Sequence, residues 1–150
     1  MPAPGAIDID CQGRPARDLL QQATPEGDMM RARCPLADVK QLLMQTRYPW
    51  EKLIFIEGRV EESMPRHLPD EIALLRLDTD WYESTYHELV HLYPRLVEGG
   101  ILIVDDYGQW QGAKKAVDDY FRSQGIDADL RTIDYTGRLL IKRSKVAMAA

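Results

Sequence analysis

Four aspartates stand at the ends of two apolar runs, Asp78 and Asp80 after "IALLRL" and Asp105 and Asp106 after "ILIV". In an extended chain, residues two apart share a face, so Asp78 and Asp80 point one way and Thr79 the other. If the two runs are neighbouring strands, three or four carboxylates meet at one rim. Like charges at such a rim repel, and some must take up protons or be neutralised. A hard divalent cation is an economical solution, because Mg²⁺ takes carboxylate and water oxygens and keeps room for substrate oxygens. The structural alternative is that either pair simply ends its strand or faces water in a turn. Residue type and spacing leave both readings open.

The elements that would position these groups follow from hydrophobic periodicity. From Leu36 the order is regular: a helix through "LADVKQLLMQ", a strand at "KLIFIE", a loop "GRVEESMPRHLPDE", a strand at "IALLRLD" and a helix after "YEST". A strand at "GILIVDD", a helix at "GAKKAVDDYFRSQG" and strands at "ADLRTID" and "RLLIKR" complete it. Thr85 with Glu88 fits a capping box, and Ser84 also reads as a cap. Tyr86, Leu89, Val90, Tyr93, Leu96 and Val97 recur at helical spacing, with Pro94 expected to kink or end that helix. Ala113, Ala116, Val117, Tyr120 and Phe121 make the buried stripe of the next helix, which Gly125 is placed to end. The last two strands read as a hairpin turning at Thr136 and Gly137.

Apolar strands alternating with amphipathic helices give an α/β fold, a mostly parallel sheet covered on both faces with an antiparallel C-terminal edge hairpin. Ligands in such sheets bind beyond the carboxyl ends of the strands, where the aspartates lie. Residues 1–35, rich in Pro, Gly and charge, read as a loop or lid with at most a short helix around "PARDLLQQ". The segment 36–145 carries the domain, and 146–150 is a tail.

At 150 residues the chain is one domain or part of one. A hydrophobic fraction of 45% and three Trp argue for a folded protein. With 19 basic against 24 acidic residues and no basic run to track phosphates, nucleic acid is not an expected partner. Cys11 and Cys34 sit in unrelated contexts, so neither a disulfide framework nor a zinc site is indicated, and a reduced, cytoplasmic setting fits. The start, "MPAPGAIDID", has no basic or apolar leader pattern, and no apolar run approaches the ~20 residues that cross a bilayer. His67, His87 and His91 show no shared metal spacing and read as surface or packing residues.

An apolar strand followed by DxD resembles phosphatases of the haloacid dehalogenase type, whose DxDx(T/V) motif supplies a nucleophile and a general acid. Here Tyr82 stands where Thr or Val would, and at least one strand and helix come first. Metal-dependent glycosyltransferases also use a DxD, which is too short to be specific. More specific is the combination "ALLRLDTDWYEST" with "LYPRLVEGGILIVDDYGQWQGAKKAVDDYF". It closely resembles the macrocin O-methyltransferase (TylF-like) family, from about Val39 to Arg143, with residues 73–121 carrying most of the likeness.

That resemblance implies a Rossmann-like class I methyltransferase sheet, S-adenosylmethionine and Mg²⁺ as cofactors, and a small-molecule, sugar-containing natural product as acceptor. It makes Asp78, Asp105 and Asp106 the metal ligands and Asp80 the general base. Trp81 and Tyr82 would wall the acceptor pocket, with core packing as the alternative for at least one of them. Glu61, Glu62 and Ser63 follow "LIFIEG", where class I methyltransferases contact adenine; a solvated loop is the alternative.

The sequence departs from the family in one large respect. No Gly-rich segment precedes "KLIFIE", and no acidic residue after a second strand is present to hold ribose. "MPAPG" is similar to the continuation of a "DSFEGMPAP"-type segment that follows the second strand in relatives. The expected spatial order of a complete sheet is 3-2-1-4-5-7-6, so the first two strands are absent. "KLIFIE" must then pair with "IALLRLD", float at an edge, or meet another chain, and an open strand edge invites a homodimer. The expectation is a methyltransferase impaired by truncation. A non-catalytic remnant serving as an interaction module, and the phosphatase, are the alternatives.

Overall fold

The computed structural model describes residues 2–31 and 34–143. The expected tail, 146–150, lies outside them. Six helices are described: α1 (Ala16–Gln21), α2 (Pro25–Met30), α3 (Leu36–Met44), α4 (Val60–Ser63), α5 (Tyr82–Leu92) and α6 (Gln111–Ser123). The four strands are β1 (Ile72–Leu77), β2 (Leu96–Val104), β3 (Arg131–Thr132) and β4 (Arg138–Ile141), in the spatial order β1-β2-β4-β3. β1 and β2 are parallel, with Leu75 opposite Leu102 and Leu77 opposite Val104. β4 runs antiparallel to both β2 and β3. This order is the 4-5-7-6 portion of the expected sheet.

Alternation along the strands sends Leu75, Leu77, Leu102, Val104 and Leu140 to one face, where Leu89 of α5 and Val117, Tyr120 and Phe121 of α6 meet them. Each such side chain stabilises the fold by about 1.5–3 kcal/mol on full burial. Tyr93 meets Phe121 edge to face with ring centroids 5.0 Å apart. The stripe expected on α6 is buried throughout, and Gly125, at φ 60, ends that helix in the left-handed conformation that favours glycine. A second cluster joins Ala16 and Leu19 of α1 to Trp81, Trp110 and Ala113, so the N-terminal segment packs behind the DTD turn.

Several local expectations are corrected. "KLIFIE" forms no strand: residues 53–57 are irregular, and Ile54 is 85% exposed. A β-prone run becomes a strand only when a partner satisfies its backbone and its side chains, and none of the four strands pairs with it. Lys40 of α3 and Trp50 lie against Phe55 instead. α5 and α6 cover one sheet face only. On the other face Leu74 and Ile141 are exposed, beside the half-buried Ile101, Ile103 and Leu139. Leu96 and Val97 belong to β2 rather than to the preceding helix, because Pro94 sits in a 3-10 turn, Tyr93–Arg95, that ends α5. The closing hairpin is shorter than expected, with Asp134 Oδ1 accepting from the backbone N–H groups of Thr136 and Gly137 in its turn.

Candidate functional site

The parallel pairing of β1 with β2 brings the carboxyl ends of both strands level, and the N–H of Asp105 donates to Leu77 O at 3.0 Å. Asp78, Asp105 and Asp106 each offer one oxygen, all within 4.8 Å of one another. Asp78 is exposed, whereas Asp80, Asp105 and Asp106 are half-buried. The carboxyls face each other in two pairs, Asp78 with Asp105 and Asp80 with Asp106.

Arg76 braces the first pair, its guanidinium reaching Asp78 Oδ2 at 2.7 Å and Asp105 Oδ2 at 2.9 Å. The second pair holds a proton more tightly than free carboxylates do. Burial, then the facing Asp80 carboxyl and the charges of Asp105 and Asp78, push Asp106 up to about 7. Burial also raises Asp80, with Asp78, Asp105 and Asp8 adding to the rise and the hydrogen bond with Asp106 opposing it. Asp105 is raised by burial and by Asp78, against the pull of Arg76. An all-oxygen, partly open donor set crowded with negative charge fits a hard divalent cation.

Behind this rim the chain is tied down from two directions. Thr79, facing away from the aspartates, donates its hydroxyl to Glu88 Oε2 at 2.6 Å, and Thr85 Oγ1 donates to Thr79 O at 2.5 Å. Thr85 and Glu88 therefore form no capping box; the helix begins three residues earlier, at Tyr82. Its first N–H is accepted by Asp8 Oδ1 at 2.8 Å. Ser84 is not a cap either: its hydroxyl donates to Glu61 Oε1 at 2.6 Å.

A cavity of about 780 Å³ is bordered by Asp8, Glu61, Tyr82, Tyr86 and His87 among others, and by none of the four rim aspartates. Tyr82 and Tyr86 stack with ring centroids 5.8 Å apart, and the Tyr82 hydroxyl donates to Asp119. Trp81 touches the cavity but is 2% exposed, packed edge to face on Trp110. Of the three residues after "LIFIEG", Glu61 borders the cavity, Glu62 is exposed and the Ser63 hydroxyl donates to Arg59 O. Glu61 Oε2 and His87 Nε2 are buried and find no hydrogen-bond partner among the described residues. Burial works to raise Glu61, but the Ser84 hydroxyl and the charges of Arg59 and His87 hold it below the usual carboxylate range. His87 is depressed by burial and by His91, whose ring stacks on it at 4.2 Å.

Sequence reasoning did not single out Asp8 or Arg76, and took Glu88 for a cap. Arg76 was visible as the one charge inside an apolar strand. Asp8 carried no such signal, because its partner lies 74 positions away.

The family model described as macrocin O-methyltransferase (TylF) matches residues 17–142. The chain belongs to the TylF family. This TylF-family chain is 41% identical over 87 residues to demethyldecarbamoylnovobiocin O-methyltransferase of Streptomyces niveus, an alignment covering 58% of the chain and 33% of the relative. It is 36% identical over 87 residues to mycinamicin III 3''-O-methyltransferase of Micromonospora griseorubida, with 58% and 34% covered. The structure of the O-methyltransferase NovP is similar with a TM-score of 0.73 at 28% identity, over 92% of this chain and 57% of that one. The apo structure of CalS11, a TDP-rhamnose 3'-O-methyltransferase, gives 0.61 at 26% identity, over 74% and 54%. The TylF-family chain thus spans about a third of the length of the curated relatives it matches. Its four-stranded sheet is part of a Rossmann-like methyltransferase fold. No helix among its described residues is long and apolar enough to cross a membrane.

Proposed function

We propose that this chain is the metal-bearing part of an S-adenosylmethionine-dependent O-methyltransferase acting on a sugar hydroxyl of a natural product. The observation that carries the reading is the convergence of Asp78, Asp105 and Asp106 within 4.8 Å, with the carboxyl of Asp80 facing Asp106. Asp78, Asp105 and Asp106 would hold Mg²⁺, with Arg76 steadying Asp78 and Asp105. When bound, Mg²⁺ would supply the charge that makes a coordinated sugar hydroxyl acidic, and S-adenosylmethionine the methyl group to be transferred. Asp80, whose carboxyl burial raises, is the group that would take the proton this hydroxyl gives up on methylation. Glu61, at the cavity, would face the cofactor, with Glu62 and Ser63 next to it in the chain. Tyr82 and the edge of Trp81 wall the acceptor.

Activity of the isolated 150-residue chain is impaired, since its sequence has no Gly-rich loop to approach the cofactor's methionine end. The exposed Leu74 and Ile141 support homodimerisation of this chain, and two exposed free cysteines fit a reduced, cytoplasmic setting. The same open face, with Ile54, favours a second reading: a non-catalytic remnant acting as an interaction module. Membership of the TylF family argues against the phosphatase alternative.

The test is a calorimetric titration of Mg²⁺, then of S-adenosylmethionine, into the wild type and Asp105→Asn. Metal binding by the wild type alone, followed by cofactor binding, supports the enzyme. Metal binding without cofactor supports the remnant, and absence of metal binding removes the metal reading.

A further inference from the structure

We infer that Glu88 is a positioning residue for the Asp78-Thr79-Asp80 turn, acting through Thr79. The inference rests on the proposal that Asp78 and Asp80 are working carboxylates. Glu88 lies on the core side of α5 with 7% exposure, next to the fully buried Leu89. Leucine at such a position would stabilise by packing alone, whereas a carboxylate there is costly unless hydrogen-bonded. Its bond is specific: Glu88 Oε2 accepts from Thr79 Oγ1 at 2.6 Å. One helical turn earlier, Thr85 Oγ1 donates to Thr79 O at 2.5 Å, and the two threonine hydroxyls are 3.3 Å apart.

One face of α5 therefore grips Thr79 by both its side chain and its carbonyl. Thr79 is flanked by Asp78 and Asp80, whose side chains leave the opposite side of the backbone. Fixing the middle residue sets the direction of both neighbours, as outer-sphere partners orient the ligands of metal sites. The Asp105 N–H to Leu77 O bond fixes the strand end before the turn and Asp8 holds the Tyr82 N–H after it, so the Thr79 grip anchors the middle. A turn held at its two ends alone would leave Asp78 and Asp80 free to splay apart under their own repulsion.

The experiment uses the 150-residue chain and two readouts, Mn²⁺ binding by electron paramagnetic resonance and hydrogen exchange of the backbone at 78–81. Thr79→Val removes the donor with little change of shape, Glu88→Leu removes the acceptor, and Glu88→Gln keeps an acceptor. The expected result is Mn²⁺ affinity weakened about tenfold or more in Thr79→Val and Glu88→Leu, with Glu88→Gln close to wild type. Exchange at 78–81 rises in the first two variants while that of Leu75 and Leu102 does not. Wild-type affinity and exchange in Thr79→Val overturn the inference, as does an equal rise of exchange across the core. Should the wild type bind no Mn²⁺, the metal reading falls, and the exchange readout still decides the role of Glu88.

Discussion

The N–H of Tyr82 donates to Asp8 Oδ1 at 2.8 Å, so the helix behind the DTD turn is capped by a residue 74 positions earlier. Asp8 is 2% exposed, and its other oxygen accepts from Gly5 N–H at 2.6 Å. Gly112 makes room for it: a Cβ there would lie 1.9 Å from Asp8 Oδ1. One close approach thus ties the N-terminal segment to the first turns of both α5 and α6.

Asp8→Ala is expected to lower stability by about 1–2 kcal/mol through loss of the cap. Gly112→Ala lowers it by about 1–3 kcal/mol through overpacking, although Gly to Ala inside a helix ordinarily stabilises by nearly 1 kcal/mol. Urea unfolding measures both. A stabilised Gly112→Ala would mean that Asp8 does not sit where the structure has it.

Glu88 makes stability depend on pH. Burial, with the charges of Glu61 and Asp78, raises it to about 7 against the Thr79 hydrogen bond, from an ordinary value of 4.5. The unfolded chain therefore loses this proton first, and stability falls as pH rises from 4.5 through 7. Glu88→Gln, which cannot ionise, should be more stable than wild type at pH 8 by up to about 3 kcal/mol and nearly equal at pH 4. Metal-free urea unfolding at the two pH values checks this; a constant difference between them excludes it.

Leu102 is fully buried between β1 and β4 and packs in the main core. Leu102→Ala should destabilise by about 2–5 kcal/mol, the cavity adding to the lost transfer energy. Thermal and urea unfolding give the value.

The open sheet face predicts concentration-dependent self-association. Leu74→Lys and Ile141→Lys place charge among the exposed apolar side chains and should shift sedimentation toward monomer without lowering the unfolding midpoint by more than a few degrees. Unchanged sedimentation would locate any self-association elsewhere.

The order of elements, the buried stripe of α6 and the position of the aspartates were legible because each depends on neighbours within a few residues. "IALLRLD" and "GILIVDD" announce strands by their apolar runs, and their shared ending in aspartate announces a common rim. "KLIFIE" carries the same signal and forms no strand, since pairing needs a partner that local sequence does not specify. Thr85 and Glu88 misled for a related reason: three-residue spacing fits a capping box, but it also puts both on one helical face, from which they reach Thr79.

The sequence by itself determined which residues could meet at the strand ends, through alternation along β1 and β2 and the resemblance in residues 73–121. Only the tertiary structure decided how they are held: Arg76 across Asp78 and Asp105, Glu88 under Thr79, Asp8 at the start of α5. Apart from Arg76 with Asp78, two positions on, these contacts join groups from different elements. Chain separation gives them no period to read, and the parallel register of β1 and β2 brings them into reach.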